Sequence, residues 1–331
     1  MLNLAVKLAG LGWFLPERRV TSADLEMEWG LPSRWISHVT GVRERRYVTT
    51  ETSAGMAAAA ARMALEHAAV APSEIDLIVG ASAAPQQAIP CTSAFVQREL
   101  GLPEGASFCF DVNATCLSFL VALQAVSHLI AAGSCRRVLI VSSEITSHSL
   151  NPAEPESAGL FGDAAAAAVI VASEPGEASR IGTSLFETHS SGADLTELPG
   201  CGTRHHPNDP ATDPAMNLFH MDGPAVLIAA SRLFDAFIER FLRECGCTPR
   251  DFDAIVPHQA SRSALRLLST RYGFAREQVI TNLESRGNCV AASIPLALAE
   301  AVHDGRLRRG QRLLLAGTGA GLTLGAMELV L

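Results

Sequence analysis

Short apolar runs alternate with longer, mostly apolar segments along this chain. The runs at 76–81, 136–141, 253–257 and 312–316 have the length of strands buried on both faces. The longer segments at 56–69, 116–132, 224–244 and 293–303 have the length and spacing of helices. Two of them, 116–132 and 293–303, are apolar almost all round rather than along one stripe. Such helices are buried on every side. Pro295 stands near the start of the second, where a missing N–H does least harm.

The chain also resembles itself. Residues 67–81 match 243–258, with Pro72 on Pro249 and Val79 on Val256, an offset of 177. Ala122 falls on Ala297 and Arg137 on Arg312, an offset of 175. Each half reads helix, strand, connection, buried helix, strand. Alternating strands and helices predict an α/β chain with sheets covered on both faces. The two buried helices, matched by the repeat, are expected to lie together between the sheets. The halves are expected to divide near 1–173 and 174–331. The one long irregular segment, 187–223, is expected to cover a site or a subunit contact.

Composition narrows the class. Hydrophobic residues make up 48% and charged residues 18%, a globular balance that leaves ample material for a core. The net charge of -8, without a run of Lys or Arg, argues against nucleic acid as the main partner. No apolar stretch has the length of a bilayer span. The first twenty residues read as a strand and turn rather than a signal peptide, so a cytoplasmic protein is expected. The eight cysteines fit that compartment as free thiols, and none has zinc-site spacing, so no metal is expected. Cys245 and Cys247 form a CxC that reads as incidental.

Four places carry chemistry. Cys116 follows an apolar strand and opens the first buried helix, where the helix N-terminus favours thiolate and is expected to lower the thiol pKa. His258 stands just past the strand 253–257, a position suited to a site. Asn288 lies just ahead of the second buried helix and would enter the same central region as Cys116 from the opposite half. Gly317, Gly319 and Gly321 make a glycine-rich turn after a strand, able to bring backbone N–H groups close to a ligand. Its spacing is not that of a nucleotide loop.

These pieces, in this order, resemble the thiolase superfamily and within it the β-ketoacyl-acyl carrier protein synthase III family. The resemblance runs along nearly the whole chain. WISHVTGVRERRY at 35–47 is similar to that family's early Trp and TGIRER segment, and DVNATC at 111–116 to its nucleophile turn. FGDAAAAAVI at 161–170 is similar to its FGD segment, PHQAS at 257–261 to its PHQAN, GNCVAASIP at 287–295 to its GNTSAAS-P, and GAGLTLGA at 319–326 to its GGGFTWG.

The resemblance implies a five-layered αβαβα sandwich of two duplicated halves, found as a homodimer. It implies an acyltransferase working in two stages. An acyl thioester loads Cys116; a malonyl thioester then decarboxylates and its carbanion attacks the acyl group. His258 and Asn288 would donate hydrogen bonds to the thioester oxygen. Backbone N–H groups of Cys116 and Ala320 would hold the acyl oxyanion. Trp35 would stack on the adenine of coenzyme A. Arg262 and Arg266, with Arg271 beyond, would offer a basic strip to an acidic acyl carrier protein. No cofactor is implied; acyl-CoA and acyl-carrier-protein thioesters are substrates.

Departures bear on the substrate. Ser261 replaces an Asn, Thr318 a Phe and Ile89 an aromatic, which suggests a roomier or reshaped substrate pocket. Val39 stands where the adenine clamp has Arg, and the segment 151–160 lacks a second clamp Arg. Acyl donors on a carrier protein thus compete with coenzyme A. Alternatives are a non-elongating acyltransferase delivering the acyl group to an alcohol or amine, and a catalytically silent acyl-binding subunit. The intact Cys-His-Asn set favours condensation, in fatty acid or polyketide-like specialised biosynthesis. A thiolase is disfavoured, because the C-terminal glycine-rich turn has no cysteine.

Overall fold

The computed structural model describes residues 3–331. Its first sheet holds, in spatial order, the strands Val6–Phe14, Ala164–Ala172, Arg137–Glu144, Leu77–Ala81 and Phe108–Val112. Its second holds Arg180–Thr188, Thr323–Val330, Arg312–Gly319 and Ala254–Pro257. The order and directions repeat. In each sheet two antiparallel neighbours precede a parallel pair. The fifth strand of the second sheet is reduced to one parallel bridge between Ile255 and Val279.

Alternation within the strands makes the layers. Val138 and Ile140 face a core that also contains Leu120 and Leu123 of the helix Ser118–Ala131, and Ile294 and Leu298 of the helix Ser293–His303. Leu313 and Leu315, 175 positions later, face the same core from the second sheet. The alternate residues Leu139 and Val141 pack outward on the alanine-rich helix Ser53–Ala68. Leu314 and Ala316 pack outward with Phe237 and Phe241 of the helix Gly223–Cys245. The result is helix, sheet, two central helices, sheet, helix, the five layers expected.

The repeat reaches single hydrogen bonds. Asp76 carboxylate oxygens accept from the N–H groups of Arg136 (2.8 Å) and Arg137 (3.2 Å). In the second half Asp253 accepts from the Arg312 N–H (2.7 Å). Sequence and structure differ mainly at element ends. The apolar run 116–132 divides into a 3-10 turn, Thr115–Leu117, and an α-helix from Ser118. The segment 187–223 contains a small ribbon, Thr196–Glu197 against His220–Met221, which settles over the central site. Among the described residues no helix is long and apolar enough to cross a membrane.

Candidate active site

Two matching turns open the central helices. In the first, the Thr115 N–H donates to Asn113 Oδ1 (2.9 Å) and the Ala114 N–H to Ser118 Oγ (2.9 Å). In the second, the Val290 N–H donates to Asn288 Oδ1 (2.9 Å) and the Cys289 N–H to Ser293 Oγ (3.0 Å). Thr115 and Val290 both have positive φ, 50° and 48°. A β-branched residue in that region is strained, and such strain concentrates at functional sites. The first turn lifts Cys116 off the strand end; the second presents Asn288.

Both turns face one cavity of about 300 Å³. Cys116, His258 and Asn288 all line it, beside Glu144, Thr318 and Ala320. These residues lie at or just past the C-terminal ends of the strands 108–112, 254–257, 137–144 and 312–319, or in the turn before the second central helix. The remaining wall is mostly apolar: Leu150, Phe161, Phe219 and Met221, with Leu198 from the covering ribbon.

Close packing explains the glycines at 317 and 319. The strand runs through both, and the turn begins only after Gly319. A Cβ at Gly317 would lie 2.6 Å from His258 Cβ, and one at Gly319 2.6 Å from Thr115 Oγ1. The strand is thus pressed against His258 and against the turn at Thr115, and Ala320 arrives beside the sulfur.

The thiol does not have the lowered pKa expected of a helix start. Burial first, then the nearby Glu144, push Cys116 up to about 12, while backbone N–H groups of Ala320 and Cys116 pull it down. Those two N–H groups are the pair expected at the acyl oxyanion, and both act at the sulfur. Cys116 keeps some accessible surface only because the cavity reaches it. His258 is 5% exposed, and burial lowers it to about 4, so it is neutral near pH 7. Asn288 is fixed by its backbone as well as its side chain: its N–H donates to Leu160 O (2.8 Å) and its carbonyl accepts from Gly162 N–H (3.1 Å).

Two acids were missed in the sequence. Glu144, 2% exposed, closes the strand Arg137–Glu144, lines the cavity and accepts the Ala83 N–H (2.6 Å). Burial raises it to about 8. Its signal was an acid at the end of an otherwise apolar and small-residue strand. Asp163 accepts the N–H groups of Val48 (2.9 Å), Thr146 (2.7 Å) and Ser147 (2.9 Å), pinning the cavity wall.

Other candidates fall elsewhere. Ile89 is 82% exposed and does not line the cavity, against expectation. The loop after Leu77–Ala81 brings Ala83 and Ala84 to the wall and has turned outward by residue 89. Ser261 does not line the cavity either; its Oγ caps the helix Arg262–Thr270 by accepting the Ala264 N–H (3.2 Å). Arg262 donates to Ser37 O (2.9 Å), tying that helix to the short helix Trp35–Thr40. Arg266 and Arg276 line a groove beside it. Trp35 is half-buried against Val20, Leu25, Ile36 and Tyr47. Arg271 is paired with Asp235. Among the described residues no group of three or more His, Cys, Asp or Glu is placed to hold a metal ion.

Residues 110–190 match the family model described as 3-oxoacyl-[acyl-carrier-protein] synthase III, and residues 242–331 match its C-terminal counterpart. The chain is 38% identical to beta-ketoacyl-[acyl-carrier-protein] synthase III 3 of Streptomyces coelicolor, over 99% of this chain and 98% of the relative. The chain belongs to the 3-oxoacyl-[acyl-carrier-protein] synthase III family. The synthase III of Methylococcus capsulatus is 35% identical over 97% of each chain. The crystal structure of 3-oxoacyl-(acyl carrier protein) synthase III from Pseudomonas aeruginosa superposes with a TM-score of 0.88 at 34% identity, covering 98% of both chains. Synthase III relatives thus share the whole architecture that holds Cys116, His258 and Asn288 together here.

Proposed function

We propose that this protein is an acyltransferase that loads an acyl group onto Cys116 and elongates it by decarboxylative condensation with a malonyl thioester. The observation that carries this reading is the convergence of Cys116, His258 and Asn288 on one largely apolar cavity. In the first stage the Cys116 sulfur attacks the acyl thioester carbonyl. The oxyanion is met by the N–H groups of Cys116 and Ala320, and the carrier leaves as a thiol with the Cys116 proton. In the second stage the malonyl thioester loses carbon dioxide. Negative charge builds on its thioester oxygen, where His258, held neutral by burial, and Asn288 donate hydrogen bonds. The resulting carbon nucleophile attacks the acyl carbon. Cys116 departs as thiolate and takes a proton from solvent. No metal or organic cofactor enters these steps.

The arginine groove formed by Arg262, Arg266 and Arg276 supports docking of an acidic acyl carrier protein. Trp35 lies on the helix joined to that groove, a place suited to the adenine of a coenzyme A donor. The free edge strand Phe108–Val112, with Phe108 69% exposed, supports a homodimer built by pairing that edge with a second copy. Fatty acid synthesis in the cytoplasm is the setting this chemistry fits.

The test is intact-protein mass spectrometry after exposure to a panel of acyl-coenzyme A and acyl-carrier-protein donors, followed by a malonyl-thioester chase. An adduct on Cys116 that is lost with release of carbon dioxide and a β-ketoacyl product is the expected result. An adduct that ignores the malonyl thioester and discharges to an alcohol or amine replaces condensation with simple acyl transfer.

A further inference from the structure

The loop after the strand Leu77–Ala81 is bonded on two sides. On one side lies the end of the strand Arg137–Glu144. A Glu144 carboxyl oxygen accepts the Ala83 N–H (2.6 Å), and the Ser143 N–H donates to Ser82 Oγ (2.9 Å). On the other side lies the nucleophile turn. Asn113 Nδ2 donates to the Ala83 carbonyl (2.8 Å). Asn113 Oδ1 in turn accepts the N–H of Thr115 (2.9 Å). Glu144, Ala83, Asn113 and Thr115 thus form one hydrogen-bonded line that ends one residue before the nucleophile.

Thr115 needs such a hold. Its φ of 50° is unfavourable for a β-branched residue, and a strained conformation persists only where its surroundings over-determine it. Ala83 is bonded at both its N–H and its carbonyl, so it passes a constraint set at Glu144 on to the turn. Glu144 is a firm origin for that constraint, at a strand end and 2% exposed. The second half lacks the device. The position 175 residues after Glu144 is Gly319, which has no side chain to offer. We propose that Glu144 is a positioning residue for Cys116, holding the nucleophile turn through Ala83 and Asn113.

The line needs an acceptor at this place, and a neutral one suits it best. A carboxylate in the wall beside Cys116 would oppose formation of the thiolate. Burial first, with Asp163 adding to it, raises Glu144 to about 8, against the pull of the Ala83, Ala84 and Ala291 N–H groups. Near pH 7 the carboxyl is therefore mostly neutral, and its carbonyl oxygen still receives the Ala83 N–H.

This inference rests on Cys116 as the nucleophile, but its first readout is alkylation, which needs no acyl transfer. In the full-length protein, labelling of Cys116 by iodoacetamide is timed by mass spectrometry of its peptide, beside acylation by a thioester donor. Glu144→Ala should slow both about tenfold, the equivalent of one lost hydrogen bond. Glu144→Gln, which keeps a carbonyl oxygen and carries no charge, should recover most of that loss. Asn113→Ala should slow both to a similar extent. The double variant of Glu144→Ala and Asn113→Ala should fall no further, because both changes cut one line. If Glu144→Ala does not fold, Glu144→Met takes its place, keeping the side-chain length while removing the acceptor. Wild-type labelling rates in Glu144→Ala or Glu144→Met, no recovery in Glu144→Gln, or multiplied effects in the double variant each overturn the proposal. Wild-type protein that is alkylated at Cys116 yet takes an acyl group from no donor would count against acyl transfer, while the alkylation rates still decide the role of Glu144.

Discussion

Residues 113–118 and 288–293 fold into the same turn, 175 positions apart, yet their outputs differ. In the first, Asn113 spends its amide on the Ala83 carbonyl (2.8 Å), and Cys116 projects into the cavity. In the second, Asn288 Nδ2 donates to no protein group among the described residues, and Ala291 stands where the first half has Cys116. One frame therefore presents a thiol to the cavity from one copy and a carboxamide from the other. Duplication supplies the backbone geometry; a single side chain in each copy supplies the chemistry.

The largest test of that contrast is Cys116→Ala. It should abolish acylation and lower turnover by at least about 10⁴-fold, read by intact-protein mass spectrometry and product assay. An adduct that persists at one site would move the nucleophile out of the first turn. Asn288→Ala should leave acylation intact and lower condensation about 10²- to 10³-fold, as loss of one oxyanion donor does. If acylation falls with it, the two turns do not divide the stages.

Smaller effects probe the frame itself. Gly319→Ala places a Cβ 2.6 Å from Thr115 Oγ1 and should destabilise the fold by about 2 kcal/mol while slowing acylation, checked by denaturant titration and adduct kinetics. Asn113→Ala removes hydrogen bonds of the first turn only and should cost about 1 kcal/mol, with the chemistry of Asn288 untouched.

The smallest effect is a pH slope. Burial raises Glu144 from an ordinary 4.5 to about 8, so the folded state favours its neutral form. Its contribution is full below 4.5 and is lost as pH rises through about 8. His258 acts oppositely: lowered from 6.5 to about 4, it contributes fully above 6.5 and loses that contribution as pH falls to about 4. The stability of wild type relative to Glu144→Gln should therefore decline between pH 4.5 and 8. A flat difference across that window would place an ionised carboxylate in the cavity wall.

Much of this was legible from sequence because it follows from periodicity and repetition. Apolar runs of strand length, two helices apolar on every side and one repeated order were enough for five layers. The meeting of Cys116, His258 and Asn288 at one cavity was legible because each stands at an element boundary picked out by ordered motifs. Ile89 and Ser261 lie off the cavity of this chain because motif matching gives an order along the chain, not a direction in space. Ile89 sits where its loop has already turned outward, and Ser261 is occupied as a helix cap.

By itself, then, the sequence determined the elements, their duplication and the three side chains that meet at the cavity, all of which depend on local pattern. Tertiary structure decided what those side chains are at rest. The helix start favoured a thiolate at Cys116, but burial and Glu144, brought from a strand end 28 residues away, outweigh it and leave a thiol pushed up to about 12. Desolvation depends on everything packed around a group, and that sum exists only once both halves have closed over the cavity.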